Sequence, residues 1–181
     1  MTSSNMTTTL SSDMVLSIAP VSRGFGYAVY ENLDVLVDWG IREVRGVVGR
    51  NEKCATLIDT LFALHRPATL ALEDWRDARS RRRDRIKVLM ATIAANAQAK
   101  GIPVALYPKA QIKSVFEGQG AKNKHDIARV IARLVPELAP QLPRRRRAWE
   151  SERYQMALFE AVALAITHLA STGERASPAA A

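Results

Sequence analysis

Three apolar runs crowded into residues 15–45, followed by a change of period at Asn51, constrain the fold of this chain more than any other feature. "MVLSIA" is short and continuous. "GFGYAVYE" carries β-branched and aromatic residues after two glycines, and "DVLVDWGIREV" follows the polar break Glu31-Asn32. Such runs with turn residues between them predict an antiparallel meander, opened by a hairpin over Val15–Asn32 whose first strand stops at Ala19-Pro20. From Asn51 onward Cys54, Leu57, Ile58, Leu61 and Leu64 recur at helical spacing until Pro67 ends the pattern.

"ATLALED" then reads as a short buried strand ending in two acids. Residues 80–100 predict a long helix through Ile86, Leu89, Ile93 and Ala97, capped by Gly101. "IPVALYP" is the next strand, and "KAQIKSVFEG" and "KHDIARVIARLV" are two short helices around Gly118-Gln119-Gly120. "PELAPQLPRRRR" is too rich in proline for regular structure. A last helix is expected from about Trp149 to Leu169. Residues 1–13 and 171–181 read as disordered tails around one domain over 14–170. The order predicts an α/β fold: a mixed five-stranded sheet with helices on both faces.

With 48% hydrophobic residues the chain can bury a full core, and its net charge of +8 favours a polyanionic partner, nucleic acid before membrane. One cysteine, Cys54, excludes a disulfide framework and a Cys-rich zinc site; among Ala55, Leu57 and Ile58 it reads as a small buried hydrophobe. His65, His125 and His168 lie far apart and form no ligand motif, and His168 reads as a cap on the last helix. The first residues carry no basic or apolar signal region, and no window approaches the roughly 18 apolar residues of a membrane span. The expectation is a cytoplasmic protein without a membrane partner.

Three segments, in order, carry a family resemblance. "IAPVSRGFGYAV" resembles the first-strand motif of RuvC-type Holliday-junction resolvases, Ile-Asp-Pro-Gly-Ser-Arg, two residues, then Gly-Tyr-Gly-Val, through Ile18, Pro20, Ser22, Arg23, Gly26, Tyr27 and Val29. "LALED" stands where that family has a strand ending in a glutamate, and "EAVALAITH" resembles its terminal helix. The resemblance implies an RNase H-like fold and Mg²⁺- or Mn²⁺-dependent cleavage of branched DNA, in a homodimer with four carboxylates around two metal ions. The first of those acids is Ala19 here and the second is Glu73. Of the pair on the last helix, the earlier is Ala157 and the later Glu160. Glu73 and Glu160 are therefore the candidate catalytic and metal-binding residues.

Phosphodiester hydrolysis needs an activated water and a stabilised leaving oxygen, which two metal ions about 4 Å apart supply when several acids converge to hold them. Glu152 precedes Glu160 by eight positions, through Met156, on one helix stripe but roughly 12 Å away along the axis. It is the third catalytic candidate, at the cleft edge. Asp74 should point to the opposite sheet face from Glu73, and the parity of Asp38 is open. With two family acids replaced, two functions stand side by side: a metal-dependent endonuclease on branched DNA, and a nucleic-acid-binding module with a vestigial site. A basic structural protein with a protein partner is a third class.

Seven of the twelve residues from Arg76 to Lys87 are basic, directly after the Glu73 strand, and Arg144–Arg147 precede the last helix. Two basic runs bracketing one candidate site suit phosphate contacts along a cleft. The nucleic-acid-binding candidates are Arg23, Arg79, Arg81, Arg82, Arg83, Arg85, Lys122, Lys124, Arg144, Arg145 and Arg146, with Lys109 and Lys113 adding charge. Phe25, Tyr27 and Trp39 read as sheet packing.

Overall fold

The structure, a computed structural model, describes residues 14–31, 35–149 and 154–173. The three apolar runs form β1 (Met14–Val21), β2 (Gly24–Glu31) and β3 (Val35–Glu43), paired antiparallel as the meander requires. Then follow α1 (Arg50–His65), β4 (Thr69–Glu73), α2 (Asp84–Ala99) and β5 (Val104–Tyr107). The chain closes with α3 (Lys109–Glu117), α4 (Lys124–Leu134) and α5 (Met156–Gly173). β4 runs parallel to β1 and β5 parallel to β4, giving one mixed sheet in the order β3-β2-β1-β4-β5.

Helices cover both faces. Leu16, Ile18, Phe25, Tyr27 and Val29 pack with Cys54, Ile58, Leu89 and Ile93 of α1 and α2. Ala19, Ala28 and Ala71 face α5, beneath α3 and α4. The central strands are buried on both sides, which is why β1 and β2 are apolar at nearly every position rather than at every second one.

The α5 face of the sheet is built from small residues, and so is the facing side of α5: Ala157, Ala161 and Ala165 recur every four positions. Backbone therefore approaches backbone. The Ser17 hydroxyl donates to the Ala161 carbonyl at 2.7 Å, and a Cβ on Gly26 would strike the Ala157 carbonyl. A phenol on the far side of the turn anchors the start of the helix: Tyr154 OH donates to the Arg42 and Arg23 carbonyls.

Residues 136–141, expected to be irregular, form a short 3-10 helix, with Pro136 in its first turn, where the missing N–H has no partner to lose. The last helix begins at Met156, later than expected, and continues to Gly173, past the tail boundary drawn at residue 171. α5 also has the length and composition of a membrane span, with a mean hydropathy of 1.4, although no such window was expected; 67% of it is buried as the core helix of this sheet. His168 does not cap the helix. Its ring is buried and its Nδ1 lies 2.8 Å from Tyr107 OH, tying α5 to β5, and burial lowers its pKa.

Candidate functional site

Register places the acids. Ser17 pairs with Ala71, so two residues further along each strand Ala19 and Glu73 lie side by side at the carboxyl ends of β1 and β4, on the α5 face. α5 crosses these strand ends with Glu160 in its second turn. The two glutamates, remote in sequence, meet as the family pattern implies. Glu73 is buried, 5% exposed, and the Glu160 carboxylate is 14% exposed.

A cation, not solvent, joins them. After Glu73 the chain turns back on itself, with Asp74 N–H donating to the Tyr107 carbonyl and Ser80 N–H to that of Asp77. This return brings Arg82 into the seat between the acids. Its Nη2 lies 2.7 Å from Glu73 Oε2 and 2.7 Å from Glu160 Oε2; Nε donates to Glu73 at 3.2 Å and Nη1 to the Pro20 carbonyl at 3.4 Å. Lys124 Nζ takes the other Glu160 oxygen at 2.6 Å, and Lys109 Nζ stands 3.7 Å from Glu73 Oε1.

Planar guanidinium suits this position because its forked donors reach two carboxylates and a carbonyl at once. Burial alone would push the Glu160 carboxyl up, but Arg82 and Lys124 hold it down at about 2. Burial works against the Arg82 charge, and the two glutamates outweigh it, raising its pKa further.

The residues do not fit a divalent-metal centre. A metal pair needs several converging acid oxygens free to coordinate. Here alanines stand at positions 19 and 157, and the oxygens of both glutamates face protein cations. Among the described residues no group of three His, Cys, Asp or Glu could hold a metal ion. Glu152, the third acid expected, lies outside the described residues. Asp38 is on the wrong face: it pairs with His65 at 2.9 Å and receives Tyr27 OH on the α1 side of the sheet. Asp74 turns away to Arg76.

Part of the expected basic set gathers around the acid pair. A groove of about 700 Å³ is lined by Arg23, Arg81, Arg82, Arg83 and Arg85, with Arg50 joining them from the start of α1. Arg50 was not among the candidates, because nothing in its local sequence marks it; the fold brings it there by its bond to the Ser22 carbonyl at 2.7 Å. Arg85 is partly structural, bonded to the same carbonyl and to Asn51. Arg81 and Arg83 are exposed. Arg79 sits on the loop outside this lining. Arg144, Arg145 and Arg146 line a separate cavity of about 400 Å³ with Lys124 and His125. Lys122 and Lys124 line a third, between α3, α4 and α5. Arg82 and Lys124, expected on phosphates, have the acids as their partners instead.

No protein-family model matches the chain. The crossover junction endodeoxyribonuclease RuvC of Pseudarthrobacter chlorophenolicus is 31% identical over 87 residues, 48% of this chain and 39% of that protein. The match thus spans well under half of the curated relative. Thermus thermophilus RuvC superposes with a TM-score of 0.61 at 18% identity, over 88% of this chain and 96% of its own. The same protein in complex with a Holliday junction substrate gives 0.61 over 91% and 96%, again at 18% identity. The yeast mitochondrial Holliday junction resolvase Ydc2 gives 0.53 at 15% identity, over 86% and 77%. The chain has the RNase H-like fold of these RuvC-type resolvases.

Proposed function

We propose that this protein binds branched DNA through the arginine groove, and that its acid pair is an internal ion-pair cluster rather than a metal centre. One observation carries the reading: Arg82 bridges Glu73 and Glu160 where the resolvase resemblance calls for metal, while exposed arginines line the same groove. Two buried carboxylates need compensation, and a fixed guanidinium supplies it without an ion from solution. The positive groove remains as the recognition surface, and it draws phosphates by charge, sequence-independently. The structural similarity to a resolvase solved with a Holliday junction supports a branched substrate. A homodimer belongs to the reading, since paired strands of a junction call for two grooves, as do a single domain that starts at residue 14 and takes in all of α5, and the expected cytoplasmic location.

Anisotropy of a labelled four-way junction tests it. Affinity should be equal in EDTA and in Mg²⁺, and should fall with salt by about 0.9 log unit per log unit for each phosphate contacted. Binding that requires a divalent ion, or that ignores salt, contradicts it.

The second reading, a metal-dependent endonuclease on branched DNA, is favoured by the convergence of Glu73 and Glu160 on one point of the groove. It requires Arg82 to leave both carboxylates and a third acid to join them.

A further inference from the structure

We propose that the cavity between α3, α4 and α5 receives one unstacked nucleotide of a bound strand, its base on an apolar floor and its flanking phosphates on a lysine rim. This rests on the DNA-binding reading above and adds a subsite to it. The floor is Ile112, Ile127, Phe159, Ala163 and Leu164; the rim offered to phosphate is Lys113 and Lys122, beside Lys109 and Lys124, which face the acids. The volume is about 260 Å³. That is far more than the ~30 Å³ share of a water and below the ~300–1,000 Å³ of sites for drug-sized ligands, so a flat ring system suits it.

Charge selects the occupant further. The two carboxylates in the wall, Glu73 and Glu160, already face Arg82, Lys124 and Lys109, so the mouth presents net positive charge to a ligand. Among the described residues Lys113 makes an exposed pair with Glu117 at 3.9 Å, which a phosphate can replace at little cost. An apolar floor under an ammonium rim fits a group that is apolar in the middle and anionic at both ends.

Position completes the argument. The cavity shares Met156 and Glu160 with the arginine groove on one side. On the other it shares Asn123, Lys124 and Met156 with the cavity of Arg144–Arg146. A strand laid from one basic surface to the other crosses its mouth. A base at a branch point or in a single strand loses least on leaving its stack, so the pocket favours branched over linear DNA.

The test uses protein with labelled isoleucine methyls and a four-way junction carrying 2-aminopurine at the branch. At saturation the 2-aminopurine fluorescence should rise several-fold and the Ile112 and Ile127 methyl signals should shift. Ala163→Phe, which fills the cavity, should abolish the rise and lower the salt slope, while anisotropy at low salt still reports binding through the arginine groove. If that variant fails to fold, Ile127→Gln, at a half-buried position of the floor, serves in its place. Saturated binding with unmoved methyls and unchanged fluorescence overturns the pocket and leaves DNA binding standing. Methyl shifts with poly-glutamate but not with the junction overturn it in favour of an acidic peptide. No anisotropy change with junction even at low salt overturns the DNA-binding reading itself.

Discussion

Nη2 of Arg82 lies 2.7 Å from Oε2 of Glu160, although 78 positions separate the two residues in the chain. That contact joins the loop after β4 to the helix that crosses the sheet. It also neutralises an acid that α5 could not otherwise bury.

Removing the guanidinium should therefore be severe. Arg82→Ala leaves two adjacent buried carboxylates without their shared partner, a loss of about 3–5 kcal/mol by the usual behaviour of broken buried pairs. Arg82→Lys should recover only part of this, because an ammonium cannot bridge both acids and the Pro20 carbonyl in one plane. Adding Glu73→Gln and Glu160→Gln to Arg82→Leu should restore most of the stability. Urea denaturation of the set measures it.

Acid should weaken the fold through the same cluster. Glu160 is held at about 2, below its ordinary 4.5, so its contribution is complete above that ordinary value and disappears as pH falls towards 2. The size is on the order of 3 kcal/mol. Denaturation midpoints between pH 6 and pH 2 should fall, and Glu160→Gln should flatten that part of the curve.

Much of this arrangement is legible in the residues. The meander, the alternation of strands and helices, and the meeting of Glu73 with Glu160 follow from apolar runs, periodicity and a family pattern. The role of Arg82 does not. It stands among seven basic residues in twelve, and only the return of the loop over 74–83 singles it out. The cap expected at His168 fails, and the open parity of Asp38 is settled, for a similar reason: each is decided by a partner on another element, Tyr107 in one case and His65 in the other.

The approach of α5 to the sheet makes Gly26 intolerant of any side chain. Its Cβ would meet the backbone of Ala157 and Leu158, which cannot rotate aside. Gly26→Ala should destabilise by about 3 kcal/mol, at the upper end of overpacking effects. A cost below about 1 kcal/mol in urea denaturation would mean that the helix lies further from β2.

Arg81 and Arg83 are the groove arginines to change when measuring phosphate contacts, being exposed and outside the ion-pair cluster. Each substitution by Gln should reduce the salt slope for junction binding by about 0.9 and leave thermal stability unchanged. A slope that stays the same in the double variant removes the groove from the binding surface.

The central claim is that an arginine closes the acid centre of a nuclease fold while the groove still binds DNA. Incubating the wild-type protein and Glu73→Gln with a labelled four-way junction, in Mg²⁺ and in Mn²⁺ at saturating protein, tests it most directly. The account predicts bound, uncut junction on a denaturing gel for both proteins. Cleavage by the wild type that disappears in Glu73→Gln would contradict it.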